Sequence, residues 1–100
     1  MPVHHKFSPA EKNLTITVSG NFNFDLHANF RETYKEISPA DVSTVSVNLN
    51  QATYMDSSAL GMLLLLDEHF ADIQINLEQC PAAIQAVLNI ANFERKFNIS

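Results

Sequence analysis

The sequence contains a single cysteine, Cys80, so it can form neither an internal disulfide framework nor a zinc site built on paired cysteines. Its longest apolar run, residues 59–66, is far shorter than the about 20 residues of a membrane-spanning helix, so we expect no membrane insertion. The first residues include no apolar segment typical of a secretory signal, which favours a cytoplasmic location. The few glycines and prolines do not cluster into a linker. We therefore expect one domain over residues 1–100, with a core from about 3 to 99.

Basic residues are also scarce. Six Lys and Arg stand against eleven Asp and Glu, which gives a formal net charge of −5. Binding to a phosphate backbone needs a basic patch that six scattered cations do not readily supply, so we expect no nucleic-acid partner. His4 and His5 are adjacent and would point to opposite faces of a strand, so we expect no metal site. His27 and His69 are expected on solvated helix exteriors.

Hydrophobic periodicity predicts alternating strands and helices after an opening pair of strands. The predicted strands are 3–7, 14–18, 45–49, 73–77 and 97–99. The predicted helices are 24–37, 56–70 and a last helix that opens with Pro81 and ends before a left-handed Asn92. This order predicts an α/β domain, a mixed sheet of about four to five strands packed against three to four helices. Four aromatic rings are expected in its core: Phe22, Phe24, Phe30 and Phe93.

The most specific segment begins at Asp56, Ser57 and Ser58, directly before the long apolar run. Asp and Ser at this place are typical N-cap residues, whose side-chain oxygens accept hydrogen bonds from free amides of the first helical turn. The positive end of a helix also favours an anion, so a serine here could carry a phosphate without unfolding its domain. On these residues alone, a capped helix remains the simplest interpretation.

The helix that follows is apolar almost all round, whereas a surface helix normally keeps a polar outer face. Either both faces are buried, or one face is left for a partner. Helical spacing places four residues on the same side as Ser57: Leu60, Gly61, Leu64 and Glu68. We expect these four to bind a partner. Tyr54 and Met55, just before the helix, are expected either to pack in the loop or to join that contact.

Residues 56–61, Asp-Ser-Ser-Ala-Leu-Gly, resemble the Asp-Ser-Ser-Gly-Leu-Gly signature of the STAS domain in its branch of anti-sigma factor antagonists. Three other segments are similar to the family: 14–22 to its second strand, 45–55 to the strand and loop before the signature, and 84–97 to its last helix and exit. Ala59 replaces the usual glycine. Its methyl group suits a helix better than glycine would, but it could reshape the partner's approach.

This resemblance implies a partner-switching protein without enzymatic activity or cofactor. In that family the unphosphorylated antagonist binds an anti-sigma factor, often a serine kinase, and frees a sigma factor. The kinase phosphorylates the serine after the aspartate, and a serine phosphatase reverses the modification. By position the phosphoacceptor is Ser57, with Ser58 as second choice, and Asp56 and Ser58 form the cap. No Gly-x-Ser-x-Gly elbow or glycine-rich phosphate loop occurs, which also argues against hydrolase or nucleotide chemistry.

A competing interpretation is a regulatory or structural subunit of a transporter or other signalling complex. Such a subunit would assemble constitutively and would be indifferent to Ser57. Sulfate-transporter and lipid-transport relatives usually lack the double serine, which favours the antagonist. The output partner could also be another signalling enzyme, such as a cyclase. The sequence leaves open the sigma factor, the regulated process and the oligomeric state.

Overall fold

Strands form where apolar and polar residues alternate, and helices form in the connections between parallel strands. The computed structural model describes residues 2–100. The strands are β1 (Val3–Ser8), β2 (Asn13–Phe22), β3 (Thr44–Met55), β4 (Ile75–Glu78) and β5 (Asn98–Ile99). The α-helices are α1 (His27–Glu32), α2 (Ser57–His69) and α3 (Ala82–Ile90), and short 3₁₀ helices span Phe24–Leu26, Pro39–Asp41 and Phe93–Arg95. No helix among residues 2–100 is long and apolar enough to cross a membrane.

The five strands form one sheet in the order β1-β2-β3-β4-β5. β1 runs antiparallel to β2, and every other neighbouring pair is parallel. Each parallel connection leads to the next strand in the same direction, so right-handed crossovers place the helices on one face of the sheet. The predicted α/β domain with a mixed sheet is therefore confirmed.

The core lies between that face and the helices. Across the sheet, Leu14 pairs with Val45 and Val45 with Ile75, and all three side chains are fully buried. The opposite face of the sheet carries polar side chains, as Thr15 and Ser46 show at the next register position. This separation explains the strict alternation along the strands, because one side of each strand meets the helices and the other does not.

Two strands are longer than predicted. β2 continues through Gly20 to Phe22, and β3 continues to Met55. The register between them shifts twice in this stretch, and Gly20 has a positive φ of 75°. Such irregularities interrupt the period-two alternation while the backbone remains paired. The alternating pattern in the sequence therefore ends before the strands do.

The first helix is shorter than predicted, since the 24–37 segment is divided between a 3₁₀ turn, α1 and the turns after Glu32. Thr33 donates its hydroxyl to the Phe30 carbonyl at 2.6 Å and is buried, so it closes the last turn. Asn92 has the predicted left-handed conformation, with φ of 60°. Pro81 is the N-cap residue of α3 rather than its first helical residue.

Two predicted environments are wrong. Phe24 is 66% exposed and stacks on His27, with ring centroids 5.1 Å apart, rather than entering the core. His69 is half-buried, its Nε2 lies 2.8 Å from the Ile37 carbonyl oxygen, and its ring packs edge-on against Phe70. Phe24 lies just beyond a strand end, where no periodic neighbours indicate the direction of its side chain. For His69, the spacing along α2 does not reveal the loop that covers it.

We expect Leu63→Ala to lower the free energy of unfolding by about 2–5 kcal/mol, because Leu63 is fully buried and its loss leaves a cavity. Leu64→Ala removes the same atoms from the same helix at a site that is 38% exposed, and should cost less than about 1 kcal/mol. Urea denaturation monitored by circular dichroism measures the free energy of unfolding of both variants. Equal losses would contradict the assignment of inner and outer faces to α2.

Candidate docking site at the start of helix α2

The start of α2 lies at the carboxyl ends of two parallel strands. Phe22, the last residue of β2, pairs with Met55, the last residue of β3. The next amide, that of Asp56, donates to the Phe22 carbonyl at 3.4 Å. The strand ends therefore fix where the chain turns into the helix. This point lies at the carboxyl ends of the parallel strands, where α/β proteins commonly bind their ligands.

Asp56 is the N-cap of α2. Its backbone is extended, with φ of −116°, and its Oδ1 accepts a hydrogen bond from the Ala59 amide at 3.2 Å. The Asp56 carbonyl also accepts from the amides of Ala59 and Leu60. The predicted cap at Asp56 is thus confirmed. Ser58 does not share that cap, because it is the second residue of the helix and is half-buried.

Ser57 is the first residue of α2 and its side chain is exposed. Within residues 2–100 its hydroxyl makes no hydrogen bond, because Asp56 already supplies the capping oxygen. The amides at the head of the helix add a partial positive charge beside this hydroxyl. Ser57 therefore carries the more accessible hydroxyl of the Asp-Ser-Ser segment, whereas Ser58 is half-buried.

Helix α2 buries one face and exposes the other. The inward side chains are fully or almost fully buried: Ala59, Met62, Leu63 and Leu66. The outward face carries the residues with helical spacing from Ser57: Leu60, half-buried, and Gly61, Leu64 and Glu68, all exposed. Leu65, which is 48% exposed, belongs to this face as well and was missed by sequence reasoning. Its position eight residues after Ser57 was the available signal, since eight residues complete slightly more than two turns.

The two residues before the cap point in opposite directions. Tyr54 is 55% exposed and lies beside Asn21 of β2, so it can contact a partner. Met55 is only 3% exposed and belongs to the core. Of the two alternatives expected for Met55, packing is the one that the structure supports and partner contact is not, since successive strand residues face opposite sides and its side of β3 meets the helices.

Ala59 also lies inward and is fully buried. Its methyl group therefore contacts the core rather than an approaching partner. An alanine in place of the signature's glycine therefore adds a methyl group on the inner side of the helix and none on its exposed side.

Cys80, just before α3, is buried, and this burial raises the pKa of its thiol. A raised pKa keeps the sulfur protonated at neutral pH, so Cys80 is a small core residue rather than a nucleophile. Among residues 2–100, no group of three or more His, Cys, Asp or Glu side chains could hold a metal ion.

A family model and a similar protein both match this chain, and they indicate the same family. The family model described as Mlab, STAS domain matches residues 5–99. A STAS-domain containing protein of Pseudomonas aeruginosa is 45% identical over 89 residues, which cover 87% of this chain and 87% of that protein.

Solved anti-sigma factor antagonists share the fold. SpoIIAA in its unphosphorylated form superposes with a TM-score of 0.71 and 17% identity, covering 98% of this chain and 86% of that one. The antagonist from Mycobacterium paratuberculosis gives a TM-score of 0.76 at 10% identity, covering 97% and 84%. The Bacillus cell fate determinant SpoIIAA in its phosphorylated form gives 0.66 at 13% identity, covering 98% and 90%. At these identities the likeness establishes the fold.

We expect Asp56→Ala to lower the free energy of unfolding by about 0.5–2 kcal/mol, because the Ala59 amide loses its side-chain acceptor. Asp56→Asn keeps an oxygen in the same place and should recover most of that loss. Urea unfolding of the three proteins measures the difference. An unchanged stability of the alanine variant would mean that the carboxylate does not hold the start of α2.

Proposed function

The chain belongs to the STAS domain family, and we propose that it is an anti-sigma factor antagonist controlled by phosphorylation of Ser57. In the unphosphorylated state it binds an anti-sigma factor, which is itself a serine kinase or works with one, and a sigma factor is released. The kinase modifies Ser57 and ends the interaction. A serine phosphatase restores the binding state. The chain itself acts in the cytoplasm as a substrate and a binding protein, without an enzymatic activity of its own.

The observation that carries this proposal is the exposed Ser57 hydroxyl, which makes no hydrogen bond among residues 2–100 and lies at the head of an outward apolar face. A helix end with one capping carboxylate and one free hydroxyl can be modified without losing its cap. Support also comes from the shared fold of SpoIIAA, a protein solved in both unphosphorylated and phosphorylated forms. That pair shows that the fold accommodates a phosphorylated state in at least one protein.

The proposed modification is an ordinary phosphoryl transfer. The Oγ of Ser57 attacks the γ-phosphorus of ATP in the kinase, the bond to the bridging oxygen breaks, and ADP leaves. The hydroxyl proton passes to a base of the kinase. In the reverse direction the phosphatase uses water as the nucleophile and releases inorganic phosphate. Both reactions need only that Ser57 project into another protein's active site, which its exposure at the first helical position permits.

The effect of the phosphate on binding follows from its charge. Phosphoserine adds about −1.5 to −2 charges at neutral pH to a chain whose net charge is already −5. The helix end stabilises that charge within the free protein. In an interface built on Leu64 and Leu65, however, the phosphate would be desolvated without a partner charge. A penalty of roughly 4 kcal/mol weakens binding about a thousandfold.

We expect the Ser57→Asp variant to recover no anti-sigma factor or kinase. The Ser57→Ala variant should recover that partner under all conditions, because it cannot be phosphorylated at this position. The measurement is affinity purification of the tagged chain from its native cell, with quantitative mass spectrometry of the recovered proteins. Phosphosite mapping of the wild-type bait should find the phosphate on Ser57, in the fraction that lacks the partner.

Ser58→Ala is the matched control, since it removes a neighbouring hydroxyl from the same helical turn and should leave partner exchange unchanged. Equal recovery by Ser57→Ala and Ser57→Asp would contradict the switch. Constant assembly with a membrane complex, together with an unmodified Ser57, would instead favour a subunit of a transporter or of another signalling complex.

A further inference from the structure

Helix α2 contains a glycine, Gly61, in its second turn and on its exposed side. The chain has only two glycines, and the other, Gly20, has a positive φ of 75°, which glycine adopts without strain. Gly61 lies within an α-helix, where φ is negative and every L-residue except proline is tolerated. The backbone conformation therefore does not require a glycine at position 61.

The packing of the domain does not require this glycine either. Among residues 2–100, a Cβ atom built on Gly61 would meet no heavy atom within 4 Å, apart from its chain neighbours and the nearby backbone of α2. A methyl group would therefore fit, and alanine is much more favourable than glycine in the interior of a helix. A glycine that costs stability and serves no contact of its own fold is typical of a place where another molecule approaches the backbone closely.

The missing side chain leaves a shallow depression in the outward face of α2. Helical spacing places Ser57 one turn before Gly61, and Leu64 and Leu65 one turn after it. Both leucines are partly exposed, at 38% and 48%. On the far side of Leu65, an open groove of about 450 Å³ separates α2 from α1. The depression therefore offers apolar contacts at one end and the Ser57 hydroxyl at the other.

We propose that the partner inserts a large apolar side chain over Gly61, between Ser57 and the two leucines. An apolar group suits this place because the peptide groups of a helix interior are already hydrogen-bonded to each other. The small residue also lets a partner helix pack closely on α2, since the distance between two helices depends on the side chains at their contact.

This inference rests on the proposed function, because the partner is the protein whose binding Ser57 controls. Side chains one helical turn apart have Cβ atoms about 5–6 Å from each other. A phosphate on Ser57, with its bound water, would therefore reach the space that the inserted side chain needs. The contact at Gly61 explains why modification of one neighbouring hydroxyl would be enough to end the interaction.

The test uses two properties that one substitution should change in opposite directions. Gly61→Ala should raise the urea midpoint of unfolding, because alanine favours the helix and its methyl group has room. The same variant should bind the partner more weakly, because the methyl group takes the place of the inserted side chain. A loss of binding caused by damage to the fold would instead lower the urea midpoint.

Binding is measured by affinity purification of the tagged full chain from its native cell, with quantitative mass spectrometry of the recovered proteins. Every bait in this series carries Ser57→Ala, so that phosphorylation at this position cannot differ between them. We expect Gly61→Ala to lower recovery of the partner about tenfold and Gly61→Leu to lower it to the level of an untagged strain. Ala86→Leu is the matched control, since it enlarges an exposed residue of α3 and should leave recovery unchanged.

The proposal is overturned if Gly61→Ala recovers as much partner as the parent bait, if Ala86→Leu lowers recovery equally, or if Gly61→Ala lowers the urea midpoint. The proposed function fails on a different result, equal recovery by Ser57→Ala and Ser57→Asp. In that case a recovery that falls with side-chain size at position 61 still supports the contact. A switch at Ser57 without any effect of size at position 61 rejects the contact alone, and a parent bait that recovers no protein rejects both.

Discussion

The hydrogen bond from the Ala59 amide to the Asp56 carboxylate fixes the first turn of α2. The set of side chains that the helix exposes depends on where that first turn begins. Because a helix turns by a constant angle per residue, the starting point decides which side chains enter the core. Leu63 and Leu66 then face the sheet, and Leu64 and Leu65 face outward. The same bond frees the Ser57 hydroxyl, because the cap is supplied by its neighbour. One local interaction thereby orients both the core contacts and the exposed surface of the helix.

The order of strands and helices and the start of α2 were predictable from the sequence, because periodicity and capping are local properties. The ends of β2 and β3 were not, since backbone pairing continues through the irregular stretch around Gly20. Met55 shows a second limit: the sequence placed it beside the signature, but its strand parity directs it into the core. The groove beside Leu65 could not be predicted either, because it requires two helices to meet.

Two neighbouring surfaces of the helical layer have different physical characters. The face headed by Ser57 is mostly uncharged and apolar, which is why the proposed phosphate on Ser57 would change its charge strongly. The groove between α1 and α2 is lined by charges of both signs, Arg31 and Lys35 from the α1 side and Glu68 from α2.

The edges of the sheet restrict how such a partner can attach. β5 has only two residues, so that edge offers a very short template for another strand. At the opposite edge β1 exposes His4, His5 and Lys6, and a lysine on an edge strand disfavours pairing with a foreign backbone. Main-chain recognition by strand addition is thereby discouraged on both sides. The exposed side chains of the helical layer are then the larger accessible surface, and the proposed switch at Ser57 lies there.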